Sequence, residues 1–164
     1  MEYAKIFANC AEYFNTNGAF LSVEAEGELN TMTVSWGFVG FFWQKPYMIV
    51  GVRPQRFTKH IMDKAQSFTV SVPYGTMKEE LITCGTKSGR DISKAQVVKF
   101  VAAKKVSSPV VEGCNAYFEC DLTNIQQLDP TVLPPPSRRF IKMTTTTFTS
   151  VKLWTVMKNK ILTK

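Results

Sequence analysis

Residues 30–36, Asn-Thr-Met-Thr-Val-Ser-Trp (NTMTVSW), followed by GFVGFF to Phe42, form the stretch on which the fold turns. Its density of β-branched and aromatic residues suits a sheet. On a strand, Thr31, Thr33 and Ser35 share one face, and Met32, Val34 and Trp36 share the other. Two readings are open from this stretch alone. One is an ordinary strand with Trp36 in the core. The other is a strand whose small polar side chains and backbone bound a flat heteroaromatic ring.

Working outward, GAFLSVEAEG alternates weakly and ends at Gly27, as a strand entering a turn does. YMIVGV is a short continuous apolar run, read as a strand buried on both faces. RFTKHIMDKAQ predicts a helix capped by Thr58, with Ile61, Met62 and Ala65 on one face. SFTVSVP alternates, with Phe68, Val70 and Val72 on one side, and stops at Pro73. Thr76 and Glu79 have capping-box spacing for a helix that Gly85 can close. GTKSGRDISK reads as a polar loop, and VVKFVAAKKV and NAYFECDLTNIQQL read as two more strands. The expected class is mainly β: a β-barrel or rolled sheet with two or three short helices.

The chain has 164 residues, of which 45% are hydrophobic and 20% charged, as in a single globular domain. The N-terminal MEYAKIFANCAEYF has early acids and no apolar core, so it does not read as a secretory signal, and a cytoplasmic location is expected. Cys10, Cys84, Cys114 and Cys120 are scattered and read as reduced thiols. No His/Cys cluster has metal-ligand spacing, and His60 is the only histidine, so neither a metal site nor a Ser-His or Cys-His nucleophile is expected.

The net charge of +7 invites a nucleic-acid reading, but its location argues against one. Seven of the twenty basic residues follow Ser137, where there is no acid; the other thirteen are matched by the thirteen acids. Nucleic-acid proteins usually spread their basic residues over a binding face. No nucleic-acid or membrane partner is therefore expected. A basic surface binder that uses the tail remains the weakest alternative.

The chemistry that remains is anion binding. Arg53 and Arg56 stand where a buried strand meets a helix start, with the Thr58 hydroxyl beside them. Arg forms forked, charge-assisted hydrogen bonds to phosphate oxygens. The plain alternative is two solvated arginines and a helix cap. Ser88, Arg90 and Lys94 sit near flexible glycines and could equally be a solvated loop.

Taken together, GAFLSVEAEGELNTMTVSWG, KPYMIVGVRPQRFT, FTVSVP, CGTKSGRDISK and FECDLTNIQQLDPTVLP occur in this order and resemble the flavin reductase-like family, which are FMN-binding split β-barrels of the flavoredoxin type. The most specific parts are N-x-M-T-x-S-W-G, R-P-x-R-F-T and S-G-R-D. The resemblance covers most of residues 1–136, which are read as one FMN-binding domain. It implies FMN bound at a homodimer interface. Asn30, Thr31, Met32, Thr33, Ser35 and Trp36 would border the isoalloxazine ring. Arg53, Arg56, Phe57 and Thr58 would hold the phosphate and ribityl chain, and Ser88, Arg90 and Lys94 would close the site. The implied activity is hydride or electron transfer through FMN, from NADH, NADPH or a redox partner protein. A non-catalytic electron carrier is the alternative.

Residues 137–164 leave that pattern. The family resemblance implies a continuation like FYKNDDYHIYIGEIV, the last strand. A coding sequence for that string, chosen among synonymous codons and read one base out of frame, gives FIKMTTTTFTSVKL, the sequence from Phe140 to Leu153. The four consecutive threonines then read as an acidic segment out of frame, replacing the last strand. The alternative is a lineage-specific basic tail.

Overall fold

Glu26 and Gly27, with φ of 51° and 80°, turn the chain tightly between β1 (Ala19–Ala25) and β2 (Glu28–Val34). The positive φ at 27 suits a residue without a Cβ. The two strands pair antiparallel, Ala19 opposite Val34 and Ala25 opposite Glu28. The computed structural model describes residues 2–42, 44–126 and 162–163. In it the hairpin is joined by β5 (Ser67–Val72), β8 (Ala116–Asp121) and β9 (Leu162–Thr163). The sheet runs β2-β1-β5-β8-β9. A separate hairpin is made by β3 (Gly37–Phe42) and β4 (Lys45–Val50), and a short one by β6 (Phe100–Val101) and β7 (Val110–Val111).

The main sheet has two chemically different faces. Leu21, Val23, Met32, Val34, Phe68, Val70, Val72, Phe118 and Cys120 belong to one apolar core. Three groups of residues pack into the same core. Helix α1 (Glu2–Thr16) contributes Ile6, Phe7, Cys10 and Phe14; helix α2 (Phe57–Met62) contributes Ile61 and Met62; and β4 with the residues after it contributes Met48, Val50 and Val52. Each large side chain fully buried in this way contributes about 1.5–3 kcal/mol.

The opposite face carries hydroxyls. Ser22 stands opposite both Thr31 and Thr69, and Phe20 stands opposite Ser71. Ser67, Thr69 and Ser71 bind the strap at 107–111. Ser67 Oγ donates to Ser108 Oγ at 3.1 Å, Thr69 Oγ1 donates to the Pro109 carbonyl, and Val111 N donates to Ser71 Oγ at 3.1 Å. Phe20 on this face packs with Leu81 and Cys84 of helix α3 (Lys78–Thr86) and with Val98, Val111 and Cys114. Strand β5 is therefore buried on both faces although its sequence alternates, because its hydroxyls are satisfied under the strap.

The mainly β class with short helices agrees with the structure, but several local expectations do not. Helix α1 was not expected, although Ile6, Phe7, Cys10 and Phe14 fall on one helical face. YMIVGV is not buried on both faces: Met48, Val50 and Val52 are fully covered, whereas Tyr47, Ile49 and Gly51 are half-exposed. Thr58 is not a cap. Arg56 holds the cap position of α2, and Thr58 lies inside the helix with 1% of its surface exposed. Nor do Thr76 and Glu79 form a capping box. The Thr76 hydroxyl donates to the Pro73 carbonyl, and left-handed Met77 (φ 55°) precedes α3. Gly85 lies within α3 and does not close it. VVKFVAAKKV contributes only Phe100–Val101 to a strand. The amides of Lys104 and Lys105 turn inward to the buried Glu119 carboxylate, at 3.0 and 2.6 Å. The out-of-frame reading of residues 137–164 lies outside the described residues, apart from the backbone of 162–163, which pairs with Tyr117 and Ala116.

Candidate functional site

Among the described strands β2 is terminal in its sheet and pairs only with β1. In an antiparallel edge strand, alternate residues direct N–H and C=O away from the partner. Along this edge runs the segment from Gly51 to Thr58, and beyond it the loop that follows α3. Two cavities lie between these elements. The first, of about 280 Å³, is walled by Met32, Thr33, Val34, Ser35, Trp36, Gly51, Arg53 and Arg56. The second, of about 180 Å³, takes in Asn30, Thr31, Met32, Arg53, Arg56, Phe57, Thr58, Ser88 and Lys94. Met32, Arg53 and Arg56 line both, so the cavities share a wall.

The structure thus gathers every residue singled out in the sequence except Arg90, which lines neither cavity. Its guanidinium lies over the Phe57 ring, 5.2 Å from the centroid, and Nη1 reaches the Gln55 carbonyl at 3.4 Å. Arg90 buttresses the wall from outside. Gly51, Gln55, Cys84, Thr86, Lys87 and Gly89 also line the cavities, and sequence reading did not single them out. Gly89 alone carried a signal, as the middle of S-G-R-D. A Cβ there would stand 2.2 Å from Asn30 Oδ1 and 2.6 Å from Phe57 Cδ1. The loop approaches β2 this closely only because the residue has no side chain.

The residues differ in how free they are. Asn30, 3% exposed, donates Nδ2–H to Thr58 Oγ1 at 2.8 Å, tying β2 to α2. The Thr31 hydroxyl donates to the Leu21 carbonyl at 3.1 Å and accepts from Ser22 Oγ at 3.0 Å. The Thr33 hydroxyl donates to the Leu81 carbonyl. These side chains shape the cavity, and the protons of both threonine hydroxyls are already committed. Ser35 and Trp36 lie past the end of β2 and are exposed, so Trp36 is not a core residue. The Arg53 guanidinium sits over its indole at 5.8 Å, and a Cβ on Gly51 would crowd its Cβ at 3.1 Å.

Positive charge dominates the shared wall. Burial, and then the nearby Arg53 charge, hold the Arg56 guanidinium below its usual pKa. Arg56 Nη1 donates to the Gly85 carbonyl at 2.8 Å, which fixes the fork while leaving its other N–H groups. Lys94 is 3% exposed, and its Nζ donates to the Thr83 and Lys87 carbonyls at the end of α3. Burial lowers its pKa, against the opposing effect of Cys84. Lys94 therefore closes the helix as well as the cavity. Two arginines short of solvent, a buried lysine and a strand edge with no partner among the described strands together suit a ligand with a planar polar body and an anionic end.

A family model described as "Flavin reductase like domain" matches residues 12–134. An uncharacterized protein of Pyrococcus abyssi is 31% identical over 105 residues, 63% of this chain and 60% of that protein. The chain thus spans less than two thirds of that relative's length. Flavoredoxin from Methanosarcina acetivorans superposes with a TM-score of 0.68 at 18% identity, covering 90% of this chain and 68% of that one. The FMN-binding protein of Thermus thermophilus, solved with bound 1-cyclohex-2-enone, gives 0.67 at 21%, covering 89% and 69%. These likenesses show the fold, the split barrel expected from the sequence.

Proposed function

Because this chain belongs to the flavin reductase-like family, we propose that it binds FMN along the β2 edge, with the ring in the first cavity and the phosphate in the second, and passes hydride or electrons through it. The observation that carries the reading is the shared Arg53–Arg56 wall joining the two cavities. Their combined size falls in the range of roughly 300–1,000 Å³ typical of cofactor pockets.

The bound flavin would supply the redox chemistry. The chain's own residues bind and orient it. Arg56, tethered to Gly85, and Arg53 offer charge-assisted hydrogen bonds to the phosphate. The outward backbone groups of β2 offer the ring's polar edge the donors and acceptors a neighbouring strand would otherwise take. Trp36, stacked under Arg53, walls the open end. The reductant in this reading is NADH, NADPH or a redox partner protein. Steady-state nicotinamide oxidation separates an enzyme from an electron carrier without turnover.

The proposal includes a homodimer. Trp36, at the first cavity, and Phe38 and Phe42, on one face of β3, expose 47, 74 and 56% of their surface, while Phe41, 60% exposed, lies on the other face against Tyr3 and Phe7 of α1. So many exposed aromatic side chains on one hairpin are unusual on a monomer, and a two-fold partner would cover them. Light scattering at micromolar concentration tests this; a monomer that holds FMN tightly would overturn it.

The cofactor assignment is tested by titrating FMN and riboflavin into the parent chain and Arg56→Ala. A lost charge-assisted hydrogen bond costs about 1.5–3 kcal/mol. FMN affinity should therefore fall by about one to two orders of magnitude, and riboflavin affinity much less. Equal losses for the two ligands would remove the phosphate from this wall.

A further inference from the structure

A third cavity, of about 420 Å³, lies between the C-terminal end of α1 and helix α3. It shares Thr33, Ser35 and Arg56 with the first cavity, so the two are contiguous. The flavin reading leaves it unused. We propose that it binds a small organic anion with an apolar body, placing that body against the flavin ring cavity.

Three observations carry this. The lining includes two cations, Arg56 and Lys78, and no carboxylate. Lys78 makes no ion pair with any described residue; Glu79 and Glu80 follow it on α3 but do not line the space. A pocket with cations on its walls and no acid is complementary to a negative group. Leu81 and Ile82 supply an apolar rib, and Ile82 keeps 65% of its surface exposed. Nothing described covers that isoleucine, and an apolar ligand body would. Asn17 and Ser35 add polar groups at the rim; Asn17 Nδ2 bonds Thr16 Oγ1 at 3.1 Å, leaving its carbonyl oxygen and second N–H. The ligand class is thus a carboxylate or phosphate monoester on a ring or short chain.

The inference rests on the flavin reading only for what lies next door, and the test keeps the two apart. Phenyl phosphate, inorganic phosphate, benzoate and neutral benzyl alcohol are titrated calorimetrically into the full chain, with and without FMN, and into Lys78→Glu and Ile82→Ser. Lys78 is on the surface and outside the flavin cavities, so FMN affinity should be unchanged in Lys78→Glu. Binding of the anions should weaken about tenfold or more there, the loss of one charge-assisted contact. Ile82→Ser should weaken phenyl phosphate while leaving inorganic phosphate unaffected. A preference for phenyl phosphate or for benzoate identifies the source of the negative group. Absence of saturable anion binding, equal binding to Lys78→Glu, or equal binding of benzyl alcohol overturns the proposal. If FMN fails to bind, the flavin reading falls, and the flavin-free titrations still decide this one.

Discussion

Asn30 on β2 and Thr58 in the first turn of α2 are joined by a buried hydrogen bond of 2.8 Å, with the amide donating to the hydroxyl. Twenty-eight residues apart in sequence, they fix the width of the second cavity. Removing the acceptor in Thr58→Val leaves a buried amide N–H without its partner, at a cost of about 1–3 kcal/mol. The denaturation midpoint should fall accordingly with an unchanged denaturant slope. A variant as stable as the parent would show that the amide finds another partner.

Gly89→Ala tests the close approach of the loop. The added methyl would meet Asn30 Oδ1 and Phe57 Cδ1, and Asn30 cannot yield easily because Thr58 holds it. Overpacking of this kind costs about 1–3 kcal/mol. FMN affinity should fall with stability, and adding Asn30→Ala should restore part of the lost stability. A double variant no better than the sum of the two singles would refute the contact.

The buried thiols predict an alkaline limb of instability. Burial pushes Cys10 and Cys114 up to about 12 from a usual value near 9, and Cys120 also upward. The folded chain then keeps protons that the unfolded chain releases. Stability is full below pH ~9 and declines as pH rises toward ~12, by about 1.4 kcal/mol per pH unit for each thiol that stays protonated. Cys10→Ala should flatten that slope between pH 9 and 11, and native thiols should resist alkylation at pH 8. Rapid modification of the folded chain would contradict it.

The tail predicts a difference in stability. Strand β8 pairs with β5 over six residues, but with β9 only at Ala116 and Tyr117. Among the described residues, Phe118 to Asp121 have no partner on that edge. A chain carrying FYKNDDYHIYIGEIV from position 140 would offer an alternating strand for it. It should melt about 2–4 °C higher for each kcal/mol gained and hold FMN more tightly. If the present ending matches it in both measurements, the out-of-frame account loses its support.

How legible the molecule was depended on the range of the interaction. The strands around Asn30–Trp36 and Phe68–Val72 could be read because alternation is local, and the residues that line the candidate site could be grouped because they fall in three short motifs. Thr58 was misread as a cap because its burial comes from Asn30, on another element. VVKFVAAKKV looked like a strand, but the amides of Lys104 and Lys105 are drawn to Glu119, fourteen or more positions away. Lys94 looked like a solvated loop cation, and only the fold shows its ammonium buried against α3. Lys78 and Ile82 carry no sequence signal at all, because their cavity exists only once α1 and α3 stand side by side.

Helix α3 is held from outside by carbonyls. Thr33 takes that of Leu81, Lys94 those of Thr83 and Lys87, and Arg56 that of Gly85. Each of these three side chains also lines a cavity. An anion that draws on the Arg56 guanidinium therefore changes what the last turn of α3 can rely on, and fraying of that turn changes what Arg56 can offer the anion. The two equilibria are linked, and linkage runs equally in both directions. Amide hydrogen exchange in the final turn of α3 becomes a gauge of site occupancy, readable without any redox chemistry.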